Sequence, residues 1–157
     1  MTPVILFDWG DTLMRDIPGA IGKMCDWPEV EAMPGAAECL DYLSRTARLY
    51  VASGALESTA EDIRLALQRV GLDRYITGCF CYQNTGLQKP DPQFYRAVLK
   101  TLVAQASEVT MVGDSLKNDI LPCHALGMQT VLLAAGPPSI GLLVGIRIIN
   151  SLIELCR

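Results

Sequence analysis

Acidic residues, one hydroxyl and one lysine follow the points where apolar segments of the chain end. Asp8, Ser53 and Asp114 each come directly after a run of apolar or β-favouring residues. Lys89 lies in a proline-rich loop ahead of a helical pattern, and Asp119 follows Asp114 by about one turn. Because ligands of open α/β sheets bind outside the carboxyl ends of the strands, we expect these five side chains to share one edge.

Together these residue types favour phosphate chemistry. Clustered carboxylates bind a hard divalent cation, Mg²⁺ above all. A lysine and a hydroxyl neutralise phosphate oxygens, and a free carboxylate can then attack phosphorus. Taken singly, each has an ordinary explanation: Ser53 as a turn residue, Lys89 as a solvated lysine and Asp119 as a charge at a helix N-terminus. It is their convergence on one edge that favours a site.

The rest of the chain predicts the scaffold that such a site needs. Strands are predicted at residues 3–7, 48–52, 75–82, 109–113 and 129–134, with one more strand in the tail. Helices are predicted from 34–35, over 56–70, from about 91 and over 115–126. Alternation at this spacing predicts an α/β fold: a doubly wound, Rossmann-like three-layer sandwich with a mostly parallel five- or six-stranded sheet.

Length and charge narrow the class of protein. The 157 residues fit a single domain, 1–157, in which the irregular segment at about 14–33 is an insert too short to be a domain itself. A net charge of −4 argues against a nucleic-acid-binding face or a membrane-surface protein. The apolar stretch 140–149 is too short and too interrupted to span a bilayer, and the N-terminus lacks a signal-peptide pattern. We therefore expect a cytoplasmic protein.

Four segments in order resemble the motifs of haloacid dehalogenase-like (HAD) hydrolases. They are Phe7–Leu13, Ala52–Gly54, Gln88–Pro92 and Val112–Ile120. The resemblance runs from residue 4 to about residue 134 and is greatest to the phosphatase-like members of the superfamily. With only the short insert after the first motif, this chain resembles a member with a minimal cap or none.

The resemblance implies a role for each of the convergent residues. Asp8 would be the nucleophile that forms an aspartyl-phosphate, and Ser53 and Lys89 would hold the transferring phosphoryl group. The cofactor would be Mg²⁺. The ligands that the resemblance implies for it are Asp8, the main-chain carbonyl of Gly10, Asp114 and Asp119, the last either as a further ligand or as a carboxylate behind the ligands.

One position departs from the family pattern. Phosphatases of the family usually carry a second Asp two residues after the nucleophile, where it protonates the leaving oxygen. Here that position is Gly10, and Asp11 follows it. General acid catalysis is worth about 10²–10⁴-fold, so turnover of alkyl phosphates depends on a substitute. Asp11 is the candidate if the loop at Gly10 bends enough.

Three functions stay open at this point. The first is a phosphatase, and the second is phosphonate or carbon–halogen cleavage, for which Lys23 is the only lysine of the insert. The third is a non-catalytic phosphate- or partner-binding protein. Retention of Asp8, Lys89 and Asp114 together favours an enzyme.

The short insert also bears on partners. An open site favours a phosphorylated substrate that is large, or a neighbouring subunit that acts as the lid. The apolar tail at 140–144 offers a contact for a homo-oligomer. Trp9 and Trp27 are candidates for lining the substrate entrance.

Overall fold

A six-stranded, wholly parallel sheet forms the centre of the computed structural model, which describes residues 2–136 and 144–157. The strands are β1 (Val4–Phe7), β2 (Arg48–Ala52), β3 (Gly78–Phe80), β4 (Val109–Gly113), β5 (Gln129–Leu133) and β6 (Ile146–Ile149). Their order is β3-β2-β1-β4-β5-β6. The order reverses on either side of β1, so β1 and its neighbours provide the edge at which a ligand is expected.

Helices cover both faces of the sheet. They are α1 (Ala36–Ser44), α2 (Ala60–Arg69), α3 (Tyr82–Thr85), α4 (Pro92–Leu102) and α5 (Leu121–Ala125). On one face Val4 and Leu6 of β1 are buried in a core shared with α4. On the other, Phe7 is buried in a core shared with α1 and α2. The predicted α/β three-layer sandwich is confirmed, with six strands.

Helix α2 begins four residues later than the sequence pattern predicts. Thr59 caps it: the Thr59 side chain accepts a hydrogen bond from the Asp62 amide at 3.1 Å, and the Asp62 carboxylate accepts one from the Thr59 amide at 2.9 Å. This reciprocal pair stabilises a helix start. Residues 53–58 are consequently free of the helix and form a loop beside the end of β2.

The segment after β4 is also divided. A π-helical turn covers Leu116–Ile120, and α5 follows with Pro122 in its first turn, where a proline is tolerated. The predicted strand at 75–82 is too long: a 3₁₀ turn covers Asp73–Tyr75 before β3, and α3 begins at Tyr82 after it.

The tail adds β6 and a 3₁₀ turn at Leu152–Leu155, as expected. The predicted turn at 136–138 lies largely outside the described residues, as does the apolar stretch 140–144. Within the described ranges, no helix has the length and apolar character needed to cross a bilayer.

Candidate active site

Three carboxylates meet at the carboxyl ends of β1 and β4. The two strands are paired in register, with Phe7 opposite Val112, so the loops that follow them leave the sheet side by side. Asp8 and Asp114 lie in these loops, and Asp119 lies in the π-helical turn. One oxygen from each carboxylate lies within 4.8 Å of the others. The fold therefore assembles the acidic cluster that the strand ends predict.

Lys89 connects the first and last members of this cluster. Its Nζ lies 2.9 Å from Asp8 Oδ1 and 2.7 Å from Asp119 Oδ1, and its side chain is only 3% exposed. Burial acts to lower the Lys89 pKa, but the two carboxylates outweigh it and the net pKa is raised. The buried amine is therefore held as a charged ammonium against the predicted nucleophile.

Asp119 is fixed from two sides. Its Oδ2 accepts a hydrogen bond from the Ser115 amide at 3.1 Å, and its Oδ1 receives Lys89. A Cβ placed on Gly113 would lie 2.6 Å from the Asp119 Cβ, so only glycine fits at the end of β4. The fully buried Tyr95 donates its hydroxyl to the Asn118 carbonyl at 2.8 Å and thereby holds the turn that carries Asp119.

Thr12 also contacts the carboxylate cluster, although the sequence alone did not single it out as a site residue. Its buried hydroxyl lies 3.1 Å from Asp8 Oδ2 and 3.4 Å from Asp114 Oδ1. The hydroxyl has one proton, so it donates to one carboxylate at a time. The feature of the sequence that could have indicated this contact is the position of Thr12, four residues after Asp8 in the turn that follows β1.

The charge of the cluster fits a divalent cation. Burial, followed by the neighbouring Asp8, raises the pKa of Asp114 to about 8. Burial and Asp8 also raise the pKa of Asp119 to about 6, against the opposing effect of Lys89. With all three carboxylates ionised, the single ammonium leaves two negative charges, which a divalent cation would offset. Among the described residues no hydrogen bond ends on the Gly10 carbonyl, so that oxygen remains available as a ligand.

Asp8 and Ser53 share a cavity of about 530 Å³. Ser53 follows β2 and is 3% exposed; its Oγ accepts a hydrogen bond from the Ala55 amide at 3.0 Å, which leaves the hydroxyl proton free for a ligand. Trp9 and Trp27 both line this cavity. Its size is typical of sites for small molecules.

The segment 14–33 forms one wall of the cavity and is anchored to α2. It leaves the core and returns in antiparallel fashion, with the Arg15 amide bonded to the Glu31 carbonyl at 2.8 Å. Arg69 of α2 donates to the Trp27 carbonyl at 2.6 Å, and Lys23 pairs with Asp62 at 2.9 Å. The wall is thus fastened to the core by side chains from a single helix.

Asp11 takes a different position from Asp8. It adopts a left-handed backbone conformation, with φ of 61°, and its Oδ1 accepts a hydrogen bond from the Asp16 amide at 2.9 Å. It lines a neighbouring cavity together with Arg15 and Asp114. The structure thus brings Asp8, Ser53, Lys89, Asp114 and Asp119 together, whereas Asp11 borders the other side of the first loop.

Comparison with known proteins identifies the family of this chain. A family model of haloacid dehalogenase-like hydrolases matches residues 21–127, beginning after the first motif. The chain is 35% identical over 105 residues to ribulose-1,5-bisphosphate 5-phosphatase from Halopiger xanaduensis, covering 66% of this chain and 43% of that protein. It is 30% identical over 118 residues to phosphoglycolate phosphatase from Agrobacterium fabrum, covering 74% of this chain and 45% of that protein. The chain thus spans less than half the length of both relatives.

Solved structures with a similar fold also match this chain. A solved structure of a protein from Listeria monocytogenes serotype 4b superposes with a TM-score of 0.83 at 20% identity, covering 97% of this chain and 93% of that one. At this identity the likeness shows the fold alone. Since the family model matches more than half of the chain, the protein belongs to the haloacid dehalogenase-like hydrolases, which confirms the family resemblance seen in the sequence.

Proposed function

We propose that this hydrolase cleaves phosphoric monoesters with Mg²⁺ and forms an aspartyl-phosphate on Asp8. The observation that carries the proposal is the setting of the Asp8 carboxylate. One oxygen faces the Lys89 ammonium, the other faces the Thr12 hydroxyl, and the residue borders the cavity shared with Ser53. The phosphatase names of the relatives support the same reaction class.

Ser53, Lys89 and Asp8 have different roles in the proposed reaction. The Ser53 hydroxyl and the Lys89 ammonium bind the oxygens of the transferring phosphoryl group, and Lys89 also orients Asp8 through their ion pair. Asp8 attacks phosphorus, and the leaving oxygen departs on the opposite side. A water molecule then attacks phosphorus of the acyl phosphate and regenerates the Asp8 carboxylate.

The metal would be held by Asp8, the Gly10 carbonyl and Asp114. When bound, Mg²⁺ supplies the positive charge that lets an anionic carboxylate approach an anionic phosphate. Asp119 already uses both oxygens, on Lys89 and on the Ser115 amide. We therefore assign it to holding Lys89 behind the metal ligands.

The proposal includes the domain organisation and the kind of substrate. The chain folds as one domain in which segment 14–33 stands in place of a cap and gives the site a wall. A phosphorylated substrate is expected; a large substrate, self-association and a cytoplasmic location stay predictions. A panel that contains sugar phosphates and phosphopeptides separates small from large substrates.

Phosphonate chemistry through an insert lysine is less well supported. Lys23 lines the cavity, but it forms an ion pair with Asp62 that raises the Lys23 pKa. A paired, protonated amine is a poor nucleophile. In the proposed cleavage of phosphate esters, Lys23 does not form or break a bond.

The test is phosphate release from para-nitrophenyl phosphate and acetyl phosphate, with Mg²⁺ and with EDTA. We expect turnover that requires Mg²⁺ and is lost in Asp8→Asn. The matched control is Asp41→Asn, the same change at an exposed ion pair on α1. Turnover that survives in Asp8→Asn contradicts the proposed mechanism.

A further inference from the structure

Asp16 fills the space beside Gly10. A Cβ built on Gly10 would lie 3.7 Å from the Asp16 Cβ and 3.9 Å from both its Cγ and its Oδ2. These are ordinary contact distances, and Gly10 does not have the positive φ that would require glycine. The carboxyl group of Asp16 therefore lies in contact with the position that a Cβ at residue 10 would take.

Asp16 also shares the cavity of the reaction. It lines the same 530 Å³ cavity as Asp8, Gly10 and Ser53. Asp11, by contrast, lines the neighbouring cavity. Of the two aspartates that follow Gly10 in the first loop, Asp16 lines the cavity that Asp8 and Ser53 line, and Asp11 does not.

The loop holds Asp16 in place and leaves its carboxyl group available. The Asp16 amide donates to Asp11 Oδ1 at 2.9 Å, and the Asp11 amide donates to the Met14 carbonyl at 2.6 Å. No ion pair among residues 2–136 and 144–157 includes Asp16, although its cavity neighbour Lys23 is paired with Asp62. The loop thus holds the backbone of Asp16, and no ion pair among the described residues takes up its carboxyl group.

We propose that Asp16 is the general acid and base of the reaction, in place of an aspartate at position 10; this rests on the proposed phosphatase function. In the first step the bond from Asp8 to phosphorus forms while the ester P–O bond breaks. The electron pair goes to the leaving oxygen, which takes the proton of the Asp16 carboxyl group and departs as an alcohol. In the second step water attacks phosphorus, its proton returns to Asp16, and the bond to Asp8 breaks with release of phosphate.

The proposal assigns Asp11 a positioning role. Its carboxylate holds the Asp16 backbone through a single acceptor oxygen. Asparagine at position 11 retains an acceptor oxygen. Any loss caused by Asp11→Asn is therefore expected to be equal for good and poor leaving groups.

The experiment measures kcat/KM on 2,4-dinitrophenyl phosphate, which has a good leaving group, and on phenyl phosphate, which has a poor one. Asp16→Asn is expected to lower the rate on phenyl phosphate by about 10²-fold or more and to leave the rate on dinitrophenyl phosphate nearly unchanged. Asp26→Asn is the matched control, because Asp26 is an exposed aspartate of the same insert outside the cavity lining. It should behave as wild type on both esters.

A second variant tests the assignment by rescue. Asp16→Ala empties the space next to Gly10, and adding Gly10→Asp should restore much of the phenyl phosphate rate. Equal loss on both esters in Asp16→Asn, or no loss, overturns the role of Asp16 while Mg²⁺-dependent and Asp8-dependent turnover remains. If the wild type cleaves neither ester with Mg²⁺, the phosphatase proposal itself is overturned, and the role of Asp16 with it.

Discussion

Lys89 Nζ lies 2.9 Å from Asp8 Oδ1, although the two residues are 81 positions apart in the chain. The contact joins the loop before α4 to the end of β1, and it continues to Asp119 at 2.7 Å. A buried ammonium thus orients the proposed nucleophile and offsets part of the charge of the acidic cluster.

Lys89→Met should strongly destabilise the protein. The Lys89 side chain is 3% exposed and that of Asp119 is 1% exposed, so the change leaves buried carboxylates without their counter-ion. Loss of one partner of a buried pair typically costs about 3–5 kcal/mol of unfolding free energy. Denaturant unfolding without metal measures the cost.

The control for this prediction is Arg45→Met. Arg45 pairs with Asp41 on the surface of α1, with side chains 67% and 50% exposed, so its loss should cost about 1 kcal/mol or less. Adding Asp119→Asn to Lys89→Met should recover part of the larger loss. Equal costs for the Lys89 and Arg45 variants would show that the buried pair has no special role.

Gly113→Ala should displace Asp119. The new Cβ would lie 2.6 Å from the Asp119 Cβ, and the buried end of β4 leaves little room for adjustment. Overpacking of this kind costs about 1–3 kcal/mol. We expect a lower melting temperature together with loss of turnover. Gly136→Ala is the control and should change neither quantity, because among the described residues no atom beyond its chain neighbours lies within 4 Å of the new Cβ.

The metal-free protein should lose stability as the pH rises from about 5 to about 8. The pKa of Asp114 is raised to about 8 and that of Asp119 to about 6, so the folded state binds more protons than the unfolded state in this window. Stability therefore falls as these groups ionise.

Mg²⁺ should stabilise the protein more at pH 8 than at pH 5, and Asp114→Asn should flatten the metal-free profile. Melting curves with EDTA and with Mg²⁺ measure both effects, and a metal-free profile that rises over this range would contradict the prediction.

Arg69→Met should loosen the wall formed by segment 14–33. The guanidinium donates to the carbonyls of Trp27, Cys25 and Pro28, at 2.6, 3.3 and 3.3 Å. We expect KM to rise about fivefold, equivalent to about 1 kcal/mol of binding, with kcat nearly unchanged. Among the described residues, the ion pairs of Arg64 on the same helix are with Glu61 and Asp73, away from the insert, so Arg64→Met should leave KM unchanged. A fall in kcat alone in Arg69→Met would contradict a role in substrate binding.

The sheet and the convergence at its edge were predictable because they depend on short, regular patterns. The strands are short and mostly apolar or β-branched, and parallel strands place their carboxyl ends at one edge. Asp8, Ser53 and Asp114 therefore come together with no knowledge of side-chain packing. The late start of α2 was also encoded, since Thr59 and Asp62 have the spacing of a capping pair.

The side-chain positions in the loop after β1 could not be predicted from the sequence. Whether Asp11 or Asp16 borders the cavity depends on the left-handed conformation of Asp11 and on the return of the chain at Met14. Sequence spacing favoured the residue next to Gly10, whereas the loop places the later aspartate beside it. Thr12 likewise acquires its role from the close approach of β1 and β4.

The most direct test of the account is to trap the phosphorylated enzyme. The protein is mixed with Mg²⁺ and radiolabelled acetyl phosphate, quenched in acid within one turnover, digested and mapped by mass spectrometry. We expect an acid-stable phosphoryl group on the peptide that contains Asp8, absent with EDTA and absent in Asp8→Asn. Mg²⁺-dependent release of phosphate with no label on Asp8 at any quench time, or with label on another residue, would contradict it.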